Sequence, residues 1–250
     1  MSLEQSSSEV PAAGASPPAQ PALSPQPALF VDLGRMAYQE AWDLQRAINE
    51  RQVAGTLGHV LLFVEHPPTI TIGRRGKHEE VLAPKAVLER RGIAVTETDR
   101  GGEITYHGPG QIVAYPLVNI QQLGFGVHAF MRAMEEAVIQ YTASLGLKGF
   151  RWEGRTGVWI GKDKACAMGI RVRKWWTLHG LALNVRTDLN HFGMIVPCGI
   201  RDRGVTSLER LMGEKCPDFE QAKDGLKEHL ARELRLDLTN STVDALQQPG

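Results

Sequence analysis

The sequence predicts an α+β fold, in which a mixed, mainly antiparallel β-sheet is flanked by helices. Short runs rich in β-branched and aromatic residues recur along the chain and are broken by Gly and Pro. Several of these runs follow one another without a helical stretch between them, which favours antiparallel pairing over a doubly wound parallel sheet. Longer stretches with apolar residues at helical spacing are interspersed with them and predict the flanking helices.

The predicted helices are amphipathic, because their apolar residues recur every three or four positions and so share one face. These helices cover residues 35–49, 127–146 and 217–235. Asp218 precedes the apolar positions of the last helix and is its predicted N-cap. The predicted strands cover residues 59–66, 69–73, 93–98, 103–108, 111–120, 157–161, 164–172 and 176–185.

One catalytic domain is predicted over residues 29–238, between two tails. The chain has 250 residues, of which 42% are hydrophobic, enough to bury a sizeable core in a single domain. Residues 1–28 are rich in Ser, Ala and Pro and contain few large apolar groups, so we expect a disordered tail. This tail lacks the features of a secretion signal and contains no Arg, which argues against a transit peptide. Residues 239–250 are expected to form a polar tail.

Charge and cysteine usage exclude several classes of function. The formal net charge is zero, and no apolar stretch is long enough to span a bilayer, so neither nucleic acid nor membrane is an expected partner. The cysteines are Cys166, Cys198 and Cys216, an odd number without a C-x-x-C pair. We therefore expect no metal site, and free thiols in a reducing, cytoplasmic compartment.

The segment Asp99–Gln111, "DRGGEITYHGPGQ", is the first candidate site. Glycines flank a short strand that carries Thr105, Tyr106 and His107. Glycine allows a ligand to approach the backbone closely, but the spacing fits neither common nucleotide-binding motif. Two readings remain open, a ligand-binding loop and a hairpin with tight turns.

Lys164 begins an otherwise apolar strand in the segment "GKDKACAMGIRV" and is the second candidate. Strand alternation predicts that Lys164 and Cys166 share one face, with Ala165 and Ala167 on the other. A lysine at the start of a strand is commonly a solvated surface charge. Lys162, two residues earlier in a predicted turn, fits that description better.

Cys198, in the segment "IVPCGI", is the third candidate and raises the question of whether it is a core residue or a nucleophile. Free cysteine is among the most frequently buried residues. A catalytic thiol needs a nearby cation, because an ordinary thiol is only a few per cent thiolate at neutral pH. Lys164, His107 and His179 are candidates for that cation, and spacing alone does not choose among them.

Several ordered segments resemble the lipoyl(octanoyl) transferases, the octanoyl-carrier-protein to protein transferases of lipoate biosynthesis. The segments are "EHPPTITIGRR", "RGGEITYHGPGQIVAYPL", "KACAMGIRV", "TLHGLALNV", "IVPCGI" and "GVTSL", and the resemblance covers residues 29–211. It implies a fold shared with the biotin and lipoate protein ligases. It also implies transfer of an octanoyl group from octanoyl-acyl carrier protein to an enzyme cysteine and then to a lysine of a lipoyl domain.

The resemblance also implies residue roles. Cys198 matches the acyl-accepting nucleophile and Lys164 the lysine that lowers its pKa and acts as acid and base. His179 and Thr177 match a T-x-H-G segment with a possible supporting role. The residues that match the substrate-binding loop are Arg100, Gly101, Gly102, Glu103, Ile104, Thr105, Tyr106 and His107, and those that match further walls of the acyl pocket are Ala167, Met168, Gly169, Gly180, Leu181 and Ala182.

Two positions depart from the family pattern, since Cys166 stands where a small residue is frequent and Met168 where isoleucine is frequent. Cys166 places a second thiol near Lys164 in the sequence. It complicates the labelling of Cys198 without displacing that residue as the expected nucleophile.

The resemblance implies that the acceptors are lipoyl domains of 2-oxoacid dehydrogenase complexes and the glycine cleavage H protein. It also implies that the reaction needs no cofactor, because the thioester donor is already activated. Three alternatives stay open. An ATP-dependent lipoate-protein ligase on the same fold would not need Cys198. A thioester hydrolase would release octanoate to water, and a non-enzymatic module would bind acyl carrier or lipoyl domain without turnover.

Overall fold

Two β-sheets and the helices around them make up residues 24–196 and 204–247, which the computed structural model describes. The strands are β1 (Gln26–Arg35), β2 (His59–Glu65), β3 (Thr69–Ile72), β4 (Ala94–Glu97), β5 (Ile104–His107), β6 (Gln111–Leu117), β7 (Gly149–Trp152), β8 (Arg155–Ile160), β9 (Asp163–Arg173), β10 (Trp176–Asn184) and β11 (Leu236–Asn240). The helices are α1 (Tyr38–Val53), α2 (Lys85–Arg90), α3 (Val127–Ser144), α4 (Leu208–Met212), α5 (Phe219–Glu233) and α6 (Val243–Gln247), with 3₁₀ turns at His78–Glu80, Leu189–Met194 and Gly213–Lys215.

The larger sheet has eight strands in the order β11-β1-β2-β6-β10-β9-β8-β7. β1 runs parallel to both β11 and β2, whereas the other neighbours in this sheet are antiparallel. The smaller sheet has the order β4-β3-β5, with β4 parallel and β5 antiparallel to β3. The predicted α+β class and the mixed, mainly antiparallel sheet are confirmed.

The larger sheet is buried on both faces, which explains why its central strands read as continuous apolar runs. Along β2, Leu61 and Phe63 pack into a core that includes residues of α3 and α5. Val60 and Leu62 point the other way, into a second core that includes residues of α1. A third core lies on the smaller sheet and includes Ile70. The alternation of β2 thus fixes which helices lie on each face.

The predicted helices are present with shifted ends. The first begins at Tyr38, three residues later than predicted, and extends to Val53. Asp218 is the N-cap of α5, and its side chain accepts a hydrogen bond from the backbone N–H of Gln221 over 2.8 Å. No helix in the described part of the chain combines the length and apolar character needed to span a bilayer.

The ends of the folded region differ from the prediction. β1 begins at Gln26, inside the predicted N-terminal tail, because this end of the strand pairs with Leu236 of β11. The expected polar tail after residue 238 instead completes β11 and forms α6, whose Leu246 is buried. The Leu246 carbonyl accepts a hydrogen bond from Arg51 over 2.5 Å. Most of the predicted N-terminal tail, residues 1–23, lies outside the described residues.

Candidate active site

A cavity of about 870 Å³ gathers the sequence-predicted residues from several elements. Every described residue named above as catalytic, substrate-binding or supporting lines it, except Tyr106 and Thr177. Those that line it are Lys164, Arg100, Gly101, Gly102, Glu103, Ile104, Thr105, His107, Ala167, Met168, Gly169, His179, Gly180, Leu181 and Ala182.

Tyr106 and Thr177 have structural roles in the described fold. Tyr106 is 1% exposed and packs edge-on against the Phe192 ring in the core of the smaller sheet, at a centroid distance of 5.5 Å. Burial raises the pKa of Tyr106 to about 12. The Thr177 hydroxyl contacts the Pro116 carbonyl at 2.5 Å and accepts a hydrogen bond from the Val118 N–H at 2.9 Å, so it joins β10 to the end of β6.

Arg100 folds the glycine-rich loop onto itself. Its guanidinium is buried and donates to the carbonyl oxygens of Thr71 (2.8 Å), Glu103 (2.9 Å) and Gly101 (3.1 Å). These are carbonyls of the loop and of β3, so the positive charge of Arg100 is used to hold the backbone. The Gly101 N–H donates to Ile170 in β9 over 2.9 Å and ties the loop to the larger sheet.

Glycine is required where this loop meets its neighbours. A Cβ on Gly169 would overlap the carbonyl oxygen of Gly101, and one on Gly73 would lie 2.6 Å from that of Gly102. Gly102 has a φ of +89°, which disfavours any other residue. These glycines therefore allow close backbone packing around the cavity.

A cluster of histidine and tyrosine rings lies at the cavity wall. The Tyr38 ring stacks on His107 at a centroid distance of 5.5 Å and contacts His66 at 5.1 Å. His66 Nδ1–H donates to the Met36 carbonyl, and its Nε2 accepts from the Tyr115 hydroxyl, each over 2.8 Å. Burial lowers the pKa of His66 to about 4. This ring is therefore neutral at physiological pH.

His107 is also neutral, since burial lowers its pKa well below the usual value and His66 and Arg100 lower it further. Its Nδ1–H donates to Gln111 over 2.8 Å, and its Nε2 accepts from the Thr71 hydroxyl over 3.3 Å. The neutral tautomer satisfies both nitrogens. His107 is thus a positioning residue in the described fold, and not the cation that a thiolate requires.

His179 links the cavity wall to Asp99. Its Nε2–H donates to the Asp99 carboxylate over 2.7 Å, and its Nδ1 lies 3.4 Å from the Tyr38 hydroxyl. The second carboxylate oxygen of Asp99 pairs with Arg171. Burial lowers the pKa of His179 to about 3, and Arg100 and Arg171 add to the effect, so His179 is uncharged as well.

Lys164 lies at a β-bulge. The register of the β8–β9 ladder shifts at this point, because Val158 pairs with Cys166 whereas Trp159 pairs with Lys164. Two steps along β9 therefore match one step along β8, and Ala165 is the additional residue. The ammonium group of Lys164 lies 4.9 Å from the centre of the Trp159 ring.

The bulge changes which side chains share a face. Lys164 and Ala167 both line the cavity, whereas Cys166 is fully buried in a core. The prediction that Lys164 and Cys166 share a face is therefore wrong, because regular alternation does not hold across a bulge. Burial raises the pKa of Cys166, so its thiol stays protonated.

The chain that follows residue 203 joins β9 at Lys164. The Lys164 N–H donates to the Gly204 carbonyl over 3.1 Å, and the Thr206 N–H donates to the Lys164 carbonyl over 3.0 Å. Cys198 lies outside the described residues, six positions before Gly204.

A chain of polar side chains connects this segment to the ring cluster. Gln111, which accepts from His107, donates to Asn184 over 2.9 Å. Asn184 in turn donates to the Thr206 carbonyl over 3.0 Å. The glycine-rich loop, the rings and the segment beside Lys164 are thus joined by continuous hydrogen bonds.

Several cavity residues were not predicted from the sequence. They are Tyr38, Arg74, Arg75, Val113, Tyr115, Val127, His128, Met131, Gly154, Arg155, Thr156 and Ile170. Most lie on elements far apart in the chain, and no local spacing marks them. Arg74 and Arg75 follow β3 after Gly73, within a segment that resembles the transferases, and that position was a usable signal.

Comparisons with known proteins show which family this chain resembles. The family model described as "Lipoyl protein ligase A/B catalytic domain" matches residues 37–231. An octanoyltransferase of Chloroflexus aurantiacus is 50% identical over 185 residues, which cover 73% of this chain and 83% of that protein. An octanoyltransferase of Flavobacterium johnsoniae is 41% identical over 215 residues, which cover 80% of this chain and 93% of that protein.

Solved structures share the fold at low sequence identity. A bipartite lipoate protein ligase from Thermoplasma acidophilum superposes with a TM-score of 0.69 and 18% identity, over 88% of this chain and 90% of that chain. A lipoate-protein ligase A bound with ATP superposes with a TM-score of 0.67 and 18% identity, over 90% of this chain and 92% of that chain. At this identity the likeness concerns the fold alone.

Proposed function

The chain belongs to the lipoyl protein ligase A/B catalytic-domain family, and on that premise we propose that it transfers an octanoyl group from octanoyl-acyl carrier protein to a lysine of a lipoyl domain through a thioester on Cys198. Its curated relatives are octanoyltransferases at 40–50% identity over most of the chain, so the chain is an acyltransferase of protein lipoylation. Lipoyl domains are its acceptors. The lipoyl domains of 2-oxoacid dehydrogenase complexes and the glycine cleavage H protein are the acceptors we propose in particular.

The observation that carries the proposed mechanism is the backbone pairing of Lys164 with Gly204 and Thr206. Gly204 is only six residues from Cys198, so the chain that contains the thiol continues directly into hydrogen bonds with the strand that presents Lys164. Lys164 itself lines the cavity. This connectivity supports Lys164 over His107 and His179 as the cation that stabilises the thiolate, because both histidines are neutral.

The first half-reaction is a thioester exchange. The Cys198 thiolate attacks the octanoyl carbonyl carbon, a new C–S bond forms, and the C–S bond to the phosphopantetheine arm breaks. The released arm leaves as a thiolate and takes up the proton of the Lys164 ammonium, which leaves Lys164 neutral for the second half-reaction. One thioester replaces another, so the step is nearly thermoneutral and needs no ATP.

The second half-reaction forms an amide. The neutral lysine amine of the lipoyl domain attacks the Cys198 thioester, the C–N bond forms, and the Cys198 thiolate leaves. The nitrogen loses one proton, which Lys164 in its neutral form accepts as a general base. Because an amide is more stable than a thioester, this step drives the overall transfer.

The cavity suits a medium-length acyl chain. Met168, Leu181 and Ala182 contribute apolar wall, and the glycines leave room between them. The buried histidines nearby are neutral and internally hydrogen-bonded, so an apolar chain meets no unpaired charge from them. Each buried methylene contributes about 0.8 kcal/mol, which selects chain length only loosely.

The test is intact-protein mass spectrometry after mixing the protein with octanoyl-acyl carrier protein without ATP. We expect one octanoyl adduct in the wild type and in Cys166→Ala, and none in Cys198→Ala. The adduct should disappear when a lipoyl domain is added, with the octanoyl mass appearing on that domain. An adduct that persists in Cys198→Ala would overturn the nucleophile assignment.

The same experiment separates the alternatives. Transfer that requires ATP and free octanoate would indicate a ligase. Release of octanoate at the same rate with and without a lipoyl domain would indicate a hydrolase. Binding of the carrier without any change in acyl mass would indicate a non-enzymatic module.

A further inference from the structure

We infer that Arg155 binds the phosphate group of the donor's phosphopantetheine arm, an inference that rests on the proposed function. Arg155 opens β8 and lines the cavity. Its side chain is half-buried, and its Nη1 atom is fully buried without a hydrogen-bond partner anywhere in residues 24–196 or 204–247. A buried guanidinium N–H that lacks an acceptor is costly. An anionic ligand that enters the cavity beside Arg155 would supply one.

The charge of the cavity identifies the kind of acceptor. Among its described lining residues a single carboxylate, Glu103, accompanies five cationic side chains, those of Arg74, Arg75, Arg100, Arg155 and Lys164. Arg100 is used internally, since it holds the loop carbonyls. The remaining excess of positive charge favours an anionic ligand, and the planar guanidinium of arginine is well matched to phosphate.

The position of Arg155 fits an arm whose sulfur end reacts beside Lys164. Trp159, four residues after Arg155 in β8, pairs with Lys164, and its ring lies under the Lys164 ammonium. Four residues of strand span about 13 Å. The actual separation is shorter, because the Lys164 side chain reaches back to Gly157, where its Cε lies 3.6 Å from the position that a Cβ would take. The phosphopantetheine arm is a flexible chain between its phosphate and its sulfur, and it is long enough to bridge this separation.

Two donors that differ only in the phosphate provide the test. Octanoyl-phosphopantetheine and octanoyl-pantetheine carry the same thioester, and each is assayed with a lipoyl domain, using wild type, Arg155→Gln and Arg155→Lys. For Arg155→Gln we expect KM for the phosphorylated donor to rise about tenfold, the size of one charged hydrogen bond, and KM for the unphosphorylated donor to stay unchanged. For Arg155→Lys we expect a smaller rise in KM for the phosphorylated donor. Lysine keeps the positive charge but lacks the paired N–H donors of the guanidinium.

Lys162→Gln is the matched control, since Lys162 is an exposed cation in the turn that follows β8 and does not line the cavity. It should leave both KM values unchanged, and a change as large as that of Arg155→Gln would overturn the inference. An equal effect of Arg155→Gln on both donors would also overturn it, because Arg155 would then act on the thioester, the acceptor or the fold. A wild-type protein that transfers octanoate from neither these donors nor octanoyl-acyl carrier protein would instead overturn the proposed function.

Discussion

Lys164 and Cys166 show how one additional residue separates two side chains that regular strand geometry would place together. The bulge turns Lys164 into the cavity and leaves Cys166 in the core between the sheet and its helices. The Cys166 thiol thus lies in the core, where burial raises its pKa more than the nearby charge of Lys164 lowers it. The reactive behaviour of the two cysteines Cys166 and Cys198 is expected to differ for that reason.

We predict that Cys166 resists alkylation in the native protein. Its side chain is fully buried and its pKa is raised by burial, so little thiolate forms at neutral pH. The reactive fraction falls about tenfold for each unit by which the pKa rises, so labelling should be at least about a hundredfold slower than in denaturant. Peptide mapping after a timed pulse of iodoacetamide, with and without denaturant, measures both rates.

The Cys166→Ala variant provides the corresponding stability measurement. Removal of a buried sulfur should lower the free energy of unfolding by about 1 kcal/mol and leave octanoyl transfer nearly intact. Rapid native labelling of Cys166, or loss of transfer in this variant without loss of stability, would contradict the position of the thiol in the core.

At the level of secondary-structure elements, the contact between the glycine-rich loop and β9 sets the shape of the cavity. The Gly101 N–H donates to Ile170, and Gly169 lies against the Gly101 carbonyl with no space for a Cβ. Two backbone segments therefore touch directly where a side chain would ordinarily separate them. The loop can stay in place only while Gly169 remains a glycine.

We predict that Gly169→Ala damages transfer far more than an ordinary surface substitution. The new methyl group must displace the loop or the strand, which should cost about 1–3 kcal/mol of stability. Displacement of the cavity wall should lower kcat/KM by up to about a hundredfold. Chemical denaturation and steady-state kinetics of the same preparation measure the two effects.

Gly58→Ala is the control for this change. Gly58 has an ordinary φ, and nothing lies within 4 Å of the position that its Cβ would take. Both quantities should stay close to those of the wild type. If Gly169→Ala behaved like Gly58→Ala, the close approach of loop and strand would not shape the cavity.

Comparison of the predicted and observed helices and strands shows which of them the sequence reveals. The long helices α1, α3 and α5 and the strands of the sheet centre have strong periodicity or continuous apolar runs, and they were predicted within a few residues. The short helices α2, α4 and α6 were not predicted. β1 was missed because it begins at Gln26 and Pro27, which resemble the preceding tail and are in a strand through their pairing with β11. The bulge at Lys164 depends on the partner strand, which no local pattern of β9 reveals.

Part of the candidate site was also predictable from the sequence. Motif resemblance named residues that line the cavity, but it could not separate Tyr106 from its neighbours Thr105 and His107. Tyr106 points into the core of the smaller sheet because side chains alternate along β5. Arg155 was missed because its significance lies in an unpartnered atom, a property of the folded state.

Across the whole molecule, buried neutral histidines make stability depend on pH. His66, His107 and His179 are buried, and the pKa of each is lowered mainly by burial. In the unfolded chain each would titrate near its ordinary value of about 6.5. Below that pH the unfolded state binds more protons than the native state, so the free energy of unfolding must fall as the pH falls.

His66 provides the sharpest measurement of this coupling, because its native pKa is about 4. Between about pH 6.5 and pH 4 it should contribute a loss of about 1.4 kcal/mol per pH unit, and little above pH 7. Urea denaturation between pH 5.0 and pH 6.5 measures the slope while carboxyl groups are still mostly ionised. His66→Gln should reduce that slope by the equivalent of about one proton, about 1.4 kcal/mol per pH unit. This reduction is expected even if the variant is less stable than the wild type. Equal slopes in the wild type and His66→Gln would show that His66 is not held neutral by the fold.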